Sequence, residues 1–152
     1  MARYWLYKTE PSTFSIEDLC RVGRTPWEGV RNYQARNHLR EAKVGDKVLF
    51  YHSSTQPMAV AGTAKVVKAA YADPSQFDTK SEYFDKDAKR EDPRWSLVDI
   101  EFVEAFLNPV TLDEMKAMPA LKGMVLLKRG RLSVQPVTAG EWAAILKRGR
   151  GK

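Results

Sequence analysis

Apolar residues recur along this chain with two different periods, and the period separates strands from helices. Tyr4-Trp5-Leu6-Tyr7, an aromatic run bounded by Pro11, predicts a first strand. Ser15 with Asp18 three residues later, and Ile16 and Leu19 on one face, predicts a short helix ending near Gly23. Asn32 caps a second predicted helix through about Ala42, with Ala35, Leu39 and Ala42 at helical spacing. Lys47 to His52 and Ala59 to Val67 read as neighbouring strands joined by the turn-rich Ser53-Ser54-Thr55-Gln56-Pro57. From Ala72 to Arg94 the chain turns polar, without a clean period, and is expected to be a long excursion. Trp95 to Phe106 then alternates, with Val98, Ile100 and Phe102 opposite Asp99 and Glu101, as a half-buried strand does. Thr111 with Glu114 and Thr138 with Glu141 are capping boxes that open two further helices. Between them, Met124 to Lys128 and Leu132 to Val137 are expected to be strands around a hairpin turn at Arg129-Gly130-Arg131. Five or six short strands interrupted by short helices predict a mixed α/β (α+β) fold whose sheet curls into a small barrel.

Composition narrows the class. At 152 residues and 43% apolar content, one folded body is expected over residues 1–146, followed by a flexible basic tail at 147–152. The longest apolar runs fall far short of the ~20 residues of a membrane helix, and the first eight residues lack the apolar core of a secretory signal. A monomer in the cytoplasm, or in the nucleus of a eukaryotic source, is the expectation. Cys20 is the only cysteine and there are two histidines, which excludes an internal disulfide and the usual four-ligand structural zinc site; neither metal nor cofactor is expected. The formal charge is +6, but Lys147, Arg148, Arg150 and Lys152 supply four of those charges. A nearly balanced body suggests recognition in a local pocket rather than along a broad basic face.

Among candidate chemistries, the enzyme motifs G-x-S-x-G, P-loop, H-E-x-x-H, G-x-G-x-x-G and C-x-x-C are all missing from the sequence, and no catalytic residue is assigned. His52 and Ser53 are adjacent on a strand and so point to opposite faces, which argues against a base and nucleophile pair. His38 reads as an exposed helix residue and Cys20 as a half-buried thiol. The informative stretch is Thr25-Pro26-Trp27-Glu28-Gly29-Val30-Arg31-Asn32-Tyr33-Gln34-Ala35-Arg36-Asn37. A tryptophan held in a Pro/Gly loop before a capped helix can offer a π-face, on which planar bases stack while amides read their edges and an arginine meets phosphate. Trp27, Asn32, Tyr33, Arg36 and Asn37 supply those parts. The residues alone fit a second reading equally well, in which Trp27 and Tyr33 cap the barrel and Arg36 pairs with Glu10 or Glu28.

Four motifs then occur in order: Trp5-Leu6-Tyr7-Lys8-Thr9-Glu10-Pro11; Trp27 to Asn37; Val44-Gly45-Asp46-Lys47-Val48-Leu49-Phe50-Tyr51-His52-Ser53; and Arg131-Leu132-Ser133-Val134-Gln135-Pro136-Val137-Thr138. Together they closely resemble the EVE domain, over the chain to about Leu146. The resemblance implies a PUA-like β-barrel, related to YTH, ASCH and SRA domains, several of which hold a modified or flipped base in a pocket. It implies a non-enzymatic reader of a modified base, such as a modified cytosine, with DNA or RNA as partner and no membrane contact. An enzyme acting on a modified nucleotide, through His52, Glu10 or Lys8, and a general RNA-binding module are the alternatives. The implied pocket is lined by Lys8, Thr9, Trp27, Asn32, Tyr33, His52, Ser53, Ser133, Gln135 and Pro136, with Arg36 available for phosphate.

Overall fold

The computed structural model describes residues 2–151. Its framework is a six-stranded sheet built from β1 (Tyr4–Thr9), β2 (Arg24–Pro26), β3 (Lys47–His52), β4 (Ala59–Ala72), β5 (Ser96–Thr111) and β6 (Val134–Val137), in the order β2-β5-β4-β3-β1-β6. Only β1 and β3 run parallel; the other neighbours are antiparallel. Around it stand α1 (Ile16–Val22), α2 (Tyr33–Glu41), α3 (Leu112–Lys116), α4 (Val125–Lys128) and α5 (Ala139–Gly149). No helix is long and apolar enough to cross a membrane among the described residues.

The period-2 pattern of the central strands divides two apolar layers. Trp5 and Tyr7 of β1, with Val48 and Phe50 of β3, join Ile16, Leu19 and Leu39 from α1 and α2 on one side. Leu6, Leu49 and Tyr51 join Met115, Trp142 and Ile145 from α3 and α5 on the other. The expected alternation in β5 holds, since Val98 and Ile100 are buried in the first layer and Phe102 packs against it. Ser15, Thr111 and Thr138 each form the full reciprocal capping box.

The mixed α/β class and the strand count are as the sequence predicts, but the ring of pairing is left open. The edge strands β2 and β6 are not paired with each other among the described residues; α2 instead touches both β5 and β6 across that gap. Several register shifts along β4 and β5 bend the long central pair. Gly62 sits at one of them because a β-carbon there would collide with the Glu104 carbonyl oxygen and crowd Ile16.

Other departures have local causes. Met124 to Lys128 is helical over α4, with Met124 and Leu126 buried; an apolar run this short suits a helical turn as well as a strand. Arg129-Gly130-Arg131 therefore joins a helix to β6 and is no hairpin. The edge strand β2, unforeseen because it is three residues long and ends in Pro26, pairs with β5. The supposed basic tail is folded through Gly149 as the last turn of α5. Gly149 lies against the Phe106 ring, Arg148 pairs with Glu114 at 2.8 Å and Arg150 with Glu104 at 2.6 Å. These contacts compete well with fraying; Lys152 lies outside the described residues.

Asp46 ties the sheet together at the start of β3. Its carboxylate, almost fully buried, accepts from the backbone N–H of Arg3, the Trp5 indole and the backbone N–H of Lys43, each at 2.9 Å. Burial by itself would raise this carboxyl, but the donors around it hold it below the usual aspartate range.

Candidate functional site

Because β1 and β3 are parallel, both of their C-terminal ends arrive at one place. A cavity of about 830 Å³ opens there. Lys8 and Thr9 from β1, Tyr51 from β3 and Ser53 just beyond it form one wall; Trp27, Glu28 and Gly29 after β2 form another. Arg131 and Ser133 approach from the loop before β6, and Glu82 and Tyr83 from the long excursion.

The walls are fixed by hydrogen bonds. The Thr9 carbonyl accepts from the backbone N–H of Ser53 at 2.8 Å, and the Thr9 hydroxyl donates to the Phe14 carbonyl at 3.0 Å. The Lys8 ammonium donates to the Gly130 carbonyl and lies 5.6 Å from the centre of the Tyr51 ring. Burial lowers the Lys8 pKa and pushes the Tyr51 phenol up to about 12, so the tyrosine stays a neutral donor. Trp27 is pinned by its N–H to Val98 at 2.8 Å. Its ring packs on Tyr7 at 5.7 Å and edge-on to Phe50 at 5.6 Å, leaving the residue 8% exposed. Trp27 is thus a core residue that also closes the cavity. Gly29 has φ +87°, and a β-carbon there would stand 2.6 Å from the Tyr83 ring; only glycine lets that ring close down on the loop.

Of the residues singled out in the sequence, Lys8, Thr9, Trp27, Ser53 and Ser133 meet around the cavity. Asn32 does not line it. Its side chain accepts from the backbone N–H of Ala35 at 2.9 Å as the cap of α2, and it borders a separate hollow of about 300 Å³ with Gln34 and Lys128 to Leu132. Tyr33 is stacked on Trp95, 5.0 Å between ring centres, with the Arg36 guanidinium 4.8 Å from its own centre. Arg36 donates to the Arg94 carbonyl at 3.0 Å and pairs with neither Glu10 nor Glu28. His52 faces α1, where its Nε2 accepts from the backbone N–H of Ile16 at 3.1 Å; burial lowers its pKa. Gln135 is fully buried, donating to the Leu132 carbonyl at 2.8 Å and the Arg129 carbonyl at 3.1 Å. It shapes the loop that carries Arg131. Pro136 sits opposite Trp5 in the β1–β6 ladder.

Glu28, Arg31, Tyr51, Tyr83 and Arg131 line the cavity without having been assigned to it beforehand. Glu28 and Arg31 lie inside the quoted Trp27 to Asn37 motif, so the signal was present; Tyr83 comes from a stretch with no periodicity to place it. Arg31 serves the excursion, donating to the Tyr83 carbonyl at 2.8 Å, Ser75 at 3.1 Å and Asp73 at 3.2 Å. No group of three or more His, Cys, Asp or Glu positioned to hold a metal ion occurs among the described residues.

A curled mixed sheet with a cavity at the ends of its parallel pair defines a PUA-like architecture, and the YTH domain of the Zygosaccharomyces rouxii MRB1 protein shares the fold. That structure superposes with a TM-score of 0.59 at 15% identity over 99% of this chain and 88% of the other. The EVE domain model matches residues 3–148, and the chain belongs to the EVE family. It is 40% identical to human thymocyte nuclear protein 1, over 96% of this chain and 73% of that one. The structure of human THYN1 protein in complex with 5-methylcytosine-containing DNA is 39% identical, with a TM-score of 0.94 and 99% of each chain covered.

Proposed function

We propose that this protein is a non-enzymatic nucleic-acid-binding module whose cavity accepts a modified nucleobase, a cytosine with a small substituent, presented from a single strand or flipped out of a duplex. The observation that carries this reading is the cavity itself. At about 830 Å³ it falls in the ~300–1,000 Å³ range of small-molecule sites. It combines an aromatic wall, Trp27, with neutral and charged groups that can meet the edge of a base. The likeness to a human protein seen with 5-methylcytosine-containing DNA supports the choice of base. The binding reading is favoured over catalysis by what the obvious bases do: the His52 Nε2 lone pair is taken by Ile16 N–H, and Lys8 is tied to Gly130.

The test is a titration of matched oligonucleotides, single- and double-stranded, carrying one 5-methylcytosine or one cytosine. A methyl group filling an apolar recess should tighten binding about tenfold. Equal affinity for both would overturn the reading in favour of a general nucleic-acid binder. Consumption of the modified nucleotide on incubation would overturn its non-enzymatic part.

A further inference from the structure

Three carboxylates, Glu10, Glu28 and Glu82, line a cavity otherwise ringed by Lys8, Arg31 and Arg131. A site for a polyanion has no electrostatic need of acids, so their presence asks what they accept from. Glu28 differs from the other two in its frame. The residue before it is anchored by Trp27 N–H to Val98 at 2.8 Å, and the residue after it by Gly29 N–H to Asp73 at 2.8 Å. Gly29 is further held at φ +87° beneath the Tyr83 ring. Glu28 is therefore carried on a segment fixed at both ends, next in the chain to the aromatic wall. Its carboxylate has no hydrogen-bond or ion-pair partner among the described residues; the nearby Arg31 is turned to Asp73, Ser75 and Tyr83 instead. Glu10 begins a turn with its carbonyl engaged by Thr13 and Phe14, and Glu82 belongs to the excursion.

Resting on the function proposed above, we propose that Glu28 reads the Watson–Crick edge of the base held against Trp27, accepting from an exocyclic amino group, so that the cavity takes cytosine-type bases and rejects thymine and uracil. An ionised carboxylate only accepts, and the N4 amino group of cytosine donates, whereas the corresponding O4 of thymine can only repel it. Partial burial, followed by the neighbouring Asp73 carboxylate, raises the Glu28 pKa; a protonated Glu28 gains a donor and, like a carboxamide, can also meet thymine O4, so the discrimination belongs to the ionised form.

5-Methylcytosine and thymine carry the same methyl group and differ at this edge, so the pair isolates Glu28. Oligonucleotides with a single 5-methylcytosine, thymine or cytosine in one single-stranded context are titrated against the natural protein, Glu28→Ala and Glu28→Gln. A melt of each variant checks folding, and Glu28 is exposed enough for both to fold. The natural protein should prefer 5-methylcytosine to thymine about tenfold. Glu28→Ala should bring that ratio to near one while 5-methylcytosine still outbinds cytosine. Glu28→Gln should shift it toward thymine, since a carboxamide can donate to O4 and accept from N3–H. A 5-methylcytosine-over-thymine ratio unchanged in both variants would overturn the assignment of Glu28 alone. No preference for 5-methylcytosine over cytosine in the natural protein would instead overturn the cavity reading.

Discussion

Two neighbouring stretches of the same motif put similar side chains to different uses. Trp27 and Glu28 stand at the cavity, while Asn32, Tyr33 and Arg36, only a few residues on, serve the chain itself. The difference lies in what packs opposite. The excursion returns to the sheet at Arg94 to Ser96, alongside α2. There Arg36 donates to the Arg94 carbonyl, Arg40 to Ser96 at 2.9 Å, and Tyr33 stacks on Trp95. The loop after β2 is held to the excursion through Gly29 and Arg31, at Asp73, Ser75 and Tyr83, contacts that leave Trp27 and Glu28 on an open cavity. An aromatic or a guanidinium announces what it can bind, and the tertiary neighbour decides whether the partner is a ligand or another part of the protein.

The largest effect should come from cutting the link between the two stretches. Asp73 is fully buried and accepts from Gly29 N–H, Arg31 and Ser75, so it fastens the cavity loop and the excursion to one point. Asp73→Ala removes one acceptor from the partly buried Arg31 guanidinium and leaves the Gly29 and Ser75 amides without theirs, and should cost about 3 kcal/mol of stability in a denaturant melt. Exchange of the Gly29 amide should accelerate in step. A loss below about 1 kcal/mol would mean that the two stretches are held independently.

Next is Trp27→Ala. Trp27 is packed against Tyr7 and Phe50, so the expected stability loss is about 3 kcal/mol, as for other buried aromatics. A lost stacking surface should additionally weaken binding of a 5-methylcytosine oligonucleotide by about 1–3 kcal/mol in the protein that remains folded. The sequence presents this residue as either a platform or a core residue; the structure makes it a core residue that also lines the cavity. Unchanged affinity alongside the lower melt would move the aromatic wall to Tyr83.

How far the sequence reaches depends on whether its signals are local. Three capping boxes, the alternation at Val98, Ile100 and Phe102, and the parallel pair's aromatic runs are complete within a few residues, and all are realised. It is the resemblance to the EVE domain, and no local run, that points to the strand ends at Thr9 and Ser53, and both line the cavity. Arg31 and Arg36 look alike in sequence, and only the return of the excursion, more than forty residues away, separates their jobs. Asp46 stands in the sequence only as a member of the Val44 to Ser53 motif, although it fastens Arg3, Trp5 and Lys43. Its effect depends on β1 lying beside β3, which no local pattern states.

Acid should separate the anchored sheet from the cavity mouth. Asp46 is held below the usual aspartate range, so its contribution is fully present above the unfolded value of ~3.9 and is lost only as pH falls through its lower folded value. Glu28 is shifted the other way, with Arg31, Asp73 and Glu82 as the charges around it, and loses its charge above the ordinary glutamate range. On lowering pH, base preference should therefore change first, with the melting curve intact, and stability should fall afterwards. Titrating affinity and thermal midpoint on the same samples checks the order, and a simultaneous loss would tie the mouth to the sheet.

The smallest effect is expected at Tyr33, the residue that most resembles a base platform from outside. It is 54% exposed, yet one face lies on Trp95 at an interplanar angle of 23° and the Arg36 guanidinium is 4.8 Å from its ring centre. An incoming base would have to displace the arginine, whose hydrogen bond to the Arg94 carbonyl would then be broken. Tyr33→Ala removes one aromatic pair and one cation–π contact at a wet surface, about 1 kcal/mol of stability. Affinity for a 5-methylcytosine oligonucleotide should stay within about twofold, because the ring lines neither the cavity nor the adjoining hollow and its loss leaves the Trp27 wall in place. Should Tyr33→Ala instead weaken binding tenfold while the melt hardly moves, α2 would have to be counted with the cavity loop as a ligand surface, and the division between the two stretches would be lost.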